Sequence, residues 1–456
     1  MPVSELHVEY KPAANRWELV RSIVNNDAKT LIRDVDPQDP LRSEQYRRDA
    51  ILTNFTYLTK VGLTGLVFRR PAEIKVPTAL EYLLDDATGY GFTIQQFSQQ
   101  VIGEVLQTGR YGILVDYPES SSVDAKARFK PYCAESIINW RYQEYGSEYK
   151  LSLLVLKEEI SMQGVDKFDW IPTVQYRVLF LDENGFYNQE IYDVDEKLAV
   201  AAFMPVDYNS KPFTEIPFAF IGSENNDARM DGIPLYDLAV VNLGHYRNSA
   251  DYEESIYITG QPYLIVNLGD HNKDEFAAAN PGGIKMGSRG GLIVGAGGSA
   301  QLLQANANQL AQVAMNDKKA DAASLGARLI APPGGRETAE AARIRFGAQN
   351  SALYTVTKNS SMGLEQCFDW AADFEMETPI DSEFELNNQF YEEDADPNLI
   401  ASEMMLFDRG LMTSQEIRMN LDKSGITLGD VEPDPVDPMI GINAPVVGTP
   451  AVPTKV

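Results

Sequence analysis

The sequence has 456 residues, with 39 Lys and Arg against 66 Asp and Glu, a formal net charge of −27, and 44% hydrophobic residues. That length supports about two to four domains around a large core, the composition is that of a soluble folded protein, and the acidic balance argues against tight nonspecific phosphate binding over the whole surface. Only Cys133 and Cys367 occur, which excludes a disulfide framework or a Cys-rich metal site.

The N-terminus, MPVSELHVEYKP, lacks the basic and apolar regions of a secretory signal. The longest charge-free stretch, Gly290 to Asn316, is too interrupted by Gln and Asn for a membrane span, so the chain is expected to be soluble and intracellular. Residues 41–68 read as one helix, with Ile51, Phe55, Leu58 and Val61 at three- and four-residue steps. A second helical pattern over 92–107 sets Ile94, Phe97, Val101, Ile102 and Val105 on one side. "RYGILVDYP" (110–118) follows as a buried strand closed by proline. Between 130 and 222 the pattern turns to strands, and Asp182-Glu183-Asn184-Gly185 is a hairpin turn. The first half is therefore an α+β body.

Residues 234–258 suit a helix opened by Pro234, and a Gly-rich segment fills 260–300. Within it, "GGLIVGAGGSAQLLQ" (290–304) carries an apolar run, Leu292-Ile293-Val294, before a G-x-G-x-x-A turn. That order of strand, glycine turn and helix opens a dinucleotide-binding βαβ unit. The unit further requires a second strand ending in an acidic residue about 20 positions on. Asp317 has that spacing but falls inside a predicted helix, 301–327, whose stripe is Leu303, Ala307, Leu310 and Ala314. "RLIAPPGGRE" (328–337) interrupts helical structure. Residues 338–374 contain no proline, with Thr338 as N-cap and Glu340 in the first turn; such a helix reaches roughly 55 Å at 1.5 Å per residue. The end is acidic, with 19 Asp and Glu against 3 Lys and Arg over 369–438. It carries a helical piece at 398–425, and from Val431 the chain is proline-punctuated.

No catalytic constellation emerges. "GGIKMGSRGG" and "APPGGRET" lack the lysine and hydroxyl of a phosphate loop. His7, His245 and His271 are dispersed and no G-x-S-x-G occurs. The acidic pairs Asp34/Asp36 and Asp434/Asp437 lack the Gly and terminal Glu of an EF-hand loop. Neither a cofactor nor a metal is expected, and the chain is not expected to be an enzyme.

The order of these elements, with the stretches "VGLTGLVFRRP" (61–71), "RYGILVDYP" (110–118), "KPYCAESIINWR" (130–141), "LGARLIAPP" (325–333) and "ETAEAARIRFGAQNSAL" (337–353), resembles that of tailed-bacteriophage portal proteins over roughly residues 40–425. The resemblance implies an α+β portal fold: a wing over 1–232, a first stem helix over 233–259, and a small β-containing clip over 260–300. A second stem helix over 301–327, a tunnel loop over 328–337 and a long wing helix over 338–376 follow. A crown-like acidic helical region would fill 377–430, and a flexible proline-rich tail 431–456. It implies a dodecameric ring at one capsid vertex of the virion, assembled in the host cytoplasm, through which double-stranded DNA passes without sequence readout. Its implied partners are the terminase large subunit, a head–tail adaptor, and the major capsid and scaffolding proteins, with no membrane.

Under that reading Gly295, Gly297 and Gly298 form a clip turn. Leu329, Ile330, Ala331, Pro332, Pro333, Gly334, Gly335, Arg336 and Glu337 form the tunnel loop, and Lys318, Lys319 and Arg328 are stem cations near the channel. Lys318, Lys319, Arg328, Arg336, Arg343 and Arg345 cluster against only Asp317, Asp321, Glu337 and Glu340, a local excess of cations. They serve either transient contacts to the DNA backbone or ion pairs between subunits. A head–tail adaptor or other structural virion protein without a channel is the alternative, and a nucleotide-binding enzyme a remote one.

Overall fold

The computed structural model describes residues 2–117, 126–163, 166–260, 263–284, 291–304, 309–326 and 339–388, together with 390, 405–407, 409 and 413; over 339–351 it describes the backbone alone. The chain divides into two units, Met1–Asn388 and Gln389–Val456. The second includes a helical turn at 405–407. The first mixes helix and sheet in an α+β fold.

Helix α1 (Tyr10–Val24) buries Trp17, Val20, Ile23 and Val24 along one stripe. The single helix expected over 41–68 is two: α2 (Pro40–Asp49), capped by Asp39, and α3 (Phe55–Val67), capped by Asn54. Polar side chains make the break. Asn54 Oδ1 accepts from Tyr57 N–H while its amide donates to Ile23 O at 2.6 Å. Asn242, from a distant helix, accepts from Thr56 N–H and donates to Thr53 O. These bonds outcompete a continuous helical ladder, and Ile51 is left exposed at the gap.

Strand β1 (Glu73–Lys75) and the one-turn helix α4 (Tyr82–Asp85) lead to α5 (Ile94–Thr108), which opens with a Thr93/Gln96 capping box. Strand β2 (Arg110–Asp116) is buried along almost its whole length, flanked antiparallel by β3 (Arg128–Cys133) and by β9 (Phe218–Gly222). Between those two runs a five-stranded antiparallel meander of β4 (Ile137–Tyr145), β5 (Glu148–Gln163), β6 (Trp170–Leu181), β7 (Tyr187–Tyr192) and β8 (Leu198–Phe203).

One buried ion cluster ties the two sheets together. Glu158 on β5 accepts from Tyr132 O–H at 2.5 Å and Arg177 Nε at 2.9 Å, with Lys130 Nζ also at 2.9 Å. Burial pushes the Glu158 carboxyl up, but Arg177 and Lys130 beside it hold it down at about 2. The stability it lends is therefore present at neutral pH and is lost as pH falls toward that value.

Helix α6 (Tyr236–Gly260) leaves this body and ends at β10 (Tyr263–Asn267). Helix α7 (Lys273–Ala279) follows, then β11 (Ser299–Leu303), which pairs antiparallel with β10, then α8 (Leu310–Leu325). The helix expected over 301–327 therefore begins later, because Ser299–Leu303 is consumed as strand. Ala307 and Thr338 lie outside the described residues. Helix α9 (Ala339–Glu375) returns to the body, where Leu353, Val356, Leu364, Cys367 and Phe368 are buried. The chain then forms β12 (Glu383–Glu385), which pairs with β1. Residues 377–388 belong to the first unit. Among the described residues no helix is long and apolar enough to cross a membrane.

Glu158→Ala would remove the carboxylate nearest the buried Arg177, leaving it Asp116 at 3.5 Å and Gln189. It should cost about 3–5 kcal/mol of stability in urea unfolding at neutral pH, and the loss should shrink toward pH 3.

Candidate functional site

Helices α6 and α8 lie side by side and antiparallel. Gly326, just beyond α8, sits near Leu238; Lys318 crosses Gly244; and Leu310 and Ala311 face Ile258 and Thr259. Small side chains on α8 allow this approach, with Ala322 fully buried against the body. At Gly244 a Cβ would stand 2.7 Å from Lys318 Cε, so only glycine lets the lysine hydrocarbon lie flat on α6. Toward the ribbon the helices part into a groove of about 530 Å³, walled by Asp251, Glu254, Ser255 and Ile258 on one side and Leu310, Ala311 and Ala314 on the other.

Helix α6 is fastened along its length to the N-terminal helices. Asn242 holds Thr53 and Thr56, Ser249 Oγ accepts from Ile51 N–H at 3.0 Å, and Arg247 donates to Leu31 O. Asp251 accepts from Tyr46 O–H at 2.7 Å, and Arg42 bonds Glu254 at 2.7 Å. The groove's carboxylates are thereby partly neutralised from behind.

Lys318 is half-buried and Lys319 exposed, and neither makes an ion pair among the described residues. They flank His245, which is buried on α6 edge-on to Phe55. Burial, then Lys318 and Lys319, push the His245 pKa below its ordinary value. Its Nδ1 has no hydrogen-bond partner among the described residues. Arg328 and the tunnel-loop residues 329–337 lie outside the described residues, and Arg343 and Arg345 fall on α9, where the backbone alone is described.

The glycine turn is built differently from the expectation. Leu292, Ile293 and Val294 form no strand; the strand comes after the turn, as β11. Gly295 N–H donates to Leu268 O at 3.1 Å and Gly298 N–H to Gly295 O at 2.9 Å, while Gly297 has φ 75°. A Cβ on Gly295 would overlap Asp270 Oδ1. The turn thus leads into an antiparallel ribbon, whereas a dinucleotide unit needs parallel strands joined through a helix. Asp317, at the spacing that such a unit reserves for an acidic residue, is exposed on α8. The ribbon exposes Tyr263, Ile265, Leu302 and Leu303, and two strands without further cover are only marginally stable. No group of three His, Cys, Asp or Glu among the described residues could hold a metal ion.

A further buried charge lies on β2. Arg110, at the start of β2, is buried with its guanidinium 4.1 Å from the Trp140 ring and 4.7 Å from Phe220. Burial pushes it down to about 9, and its Nε and Nη2 have no hydrogen-bond partner among the described residues. An arginine opening an apolar strand was the only available signal.

A family model described as a domain of unknown function, DUF4055, matches residues 234–375, from the start of α6 to the end of α9. No curated protein matches the chain. Among solved structures, the chain is similar to one from the neck of an empty gene transfer agent particle computed with C6 symmetry, at 14% identity over 81% of this chain and 90% of that one, TM-score 0.45. It is similar to one from the virion of a native gene transfer agent particle at 14% identity, over 83% and 92%, TM-score 0.43. It is also similar to an HK97-family phage portal protein from Corynebacterium diphtheriae at 12% identity, over 75% and 96%, TM-score 0.34.

The lowered His245 pKa means that the unfolded chain binds a proton that the folded chain resists, so stability falls as pH drops below 6.5. His245→Asn should flatten the pH dependence of urea unfolding between pH 7.5 and pH 5.5. An unchanged slope would place the acid sensitivity elsewhere.

Proposed function

We propose that this chain is a portal protein: a subunit of a ring at one vertex of a viral or virus-like capsid, serving as the channel for genome packaging and ejection. The observation that carries the reading is the antiparallel pair α6 and α8, joined through the β10–β11 ribbon and mounted on an α+β body that a 37-residue helix crosses again. The portal-like stretches of the sequence, from "VGLTGLVFRRP" to "ETAEAARIRFGAQNSAL", point the same way.

In this reading α6 and α8 form the stem, the ribbon and its glycine turn the clip, and residues 328–337 the tunnel loop. The long α9 belongs to the wing. The partners are double-stranded DNA in transit, the packaging terminase, a head–tail adaptor, and capsid and scaffolding proteins. The role is structural rather than enzymatic.

The electrostatics fit such a channel. A ring repeats each lining residue in every copy, and neutralising 6–10 phosphates changes affinity by about 10³–10⁵ between low and moderate salt. A basic lining would therefore trap DNA. A chain of net charge −27 with few unpaired cations near the stem lets DNA pass. Lys318 and Lys319 touch the phosphate backbone transiently in this scheme, without base readout.

Negative-stain images of the purified protein should show cone-shaped rings with a central hole. Compact monomers that gain thermal stability with NAD, FAD or ATP would overturn the reading in favour of an enzyme, and rings or plates without a hole would favour a head–tail adaptor. Lys318→Ala combined with Lys319→Ala should leave ring assembly intact and reduce DNA packaging or retention. Unchanged packaging would leave those lysines no role in DNA contact.

A further inference from the structure

Strand β9 is a sheet edge that the fold closes at its ends and leaves open in the middle. The β2–β9 register pairs Arg110 with Gly222 and Leu114 with Phe218. The bonds Val115 N–H to Pro217 O and Ser223 N–H to Gly109 O fix the phase. Ala219 and Ile221 therefore bond β2, while Phe218, Phe220 and Gly222 turn their backbone groups away from it. Gly222 is sealed, since its N–H donates to Asn226 Oδ1 and its C=O accepts from Asn359 Nδ2 at 2.9 Å. Phe218 N–H is spent on Ile216 O at 2.7 Å. Phe220 N–H, Phe220 C=O and Phe218 C=O remain without a hydrogen-bond partner among the described residues, although both side chains are buried. Beside them opens a cleft of about 380 Å³, lined by Tyr142, Tyr149, Phe220, Met362 and Trp370 among others. Phe218, Ala219 and Phe220 form its β9 side.

The same chain carries an arm of matching chemistry. β4 pairs with β5 only as far as Leu156, and β7 with β6 only from Tyr176. Beyond those points Glu158–Gln163 and Trp170–Gln175 pair only with each other, and such a two-stranded ribbon needs cover. Its end exposes Met162, Phe168, Trp170 and Ile171. The bond from Asp182 N–H to Phe186 O sets the phase of β6, so Trp170, Pro172 and Val174 turn their backbone groups to the arm's open edge. Pro172 offers a carbonyl there and no N–H.

We propose that the cleft beside β9 receives the outer edge of this arm from a second copy of the chain, as an added antiparallel strand. With Pro172 opposite Phe220, Phe220 N–H donates to Pro172 C=O and Val174 N–H donates to Phe218 C=O. Each gap costs one bond, since the missing Pro172 N–H leaves Phe220 C=O without a donor and the spent Phe218 N–H leaves Val174 C=O without one, so the two pairs make two bonds rather than four. Opposed residues share a face, so Pro172 and Val174 lie on the same face as the Phe220 side chain, while Trp170 comes to the Gly222 end, where Asn226 and Asn359 already hold the backbone groups. Arm and cleft are different surfaces of one chain, which makes the contact head-to-tail, the kind that closes into a ring. The proposal rests on the homo-oligomeric part of the portal reading.

The test is hydrogen–deuterium exchange of the Phe220 amide in the full chain, as assembled oligomer and as dissociated subunit. Exchange should be at least about tenfold slower in the oligomer. Val174→Pro removes an N–H that points outward in the free arm, so the subunit should fold normally. It should lose the Phe220 protection, as should Trp170→Ala. Rings that form with Phe220 equally fast in both states, or with protection surviving Val174→Pro, overturn the strand addition and leave the portal reading intact. Protection that appears only when a different protein is added overturns the second copy as occupant. A chain that stays monomeric at every concentration overturns both.

Discussion

The closeness of α6 and α8 is the constraint on which the rest of the second half depends. Two helices can run flush only where one of them presents little bulk, and here Gly244 yields to the hydrocarbon of Lys318 while alanines line the facing helix. That contact sets the two ends of the ribbon beside each other, where β10 and β11 meet in antiparallel register. It also decides what the lysine can do. With its stem laid along α6, its charge is near enough to the buried His245 to help lower that imidazole's pKa.

Charge works on a second scale. The acidic excess is spread over the whole chain, yet the buried charges are handled one by one. Glu158 is surrounded by cations and hydrogen-bond donors. Arg110 instead rests between aromatic rings with two of its nitrogens without hydrogen-bond partners among the described residues. The first arrangement offsets the loss of water around the carboxylate with cations and hydrogen-bond donors, so removing one partner is what would cost most. The second is costly, and it stands next to β9, whose outer edge is incompletely bonded.

Local pattern was legible where burial is one-sided. The spacing of Phe97, Val101 and Val105 marks α5, and the apolar run after Arg110 marks β2, because each presents one continuous apolar surface to the core. Reading failed where polar side chains from distant segments intervene. Nothing in residues 41–68 announces that Asn242 will claim the backbone of Thr53 and Thr56 and split the helix. Reading failed again in the ribbon, where Ser299–Leu303 has a composition that suits a helix and becomes strand only because β10 offers a partner. The glycine motif misled for the same reason: glycines mark a sharp turn, while tertiary pairing decides whether the chain leaves that turn as helix or as strand. The open edge of β9 is a property of hydrogen-bond phase between strands about 100 residues apart, which no window of sequence contains.

The fastening of α6 has a mechanical consequence. The helix is pinned near its start by Asn242, at its middle by Arg247 and Ser249, and farther on by Asp251 and Glu254, always to residues between Leu31 and Thr56. A rod held at so many stations cannot pivot about one of them. Any push delivered to its far end must travel as a whole-body displacement into the segment from Leu31 through α2 to the start of α3, and a tug on that segment must come back along the same shaft.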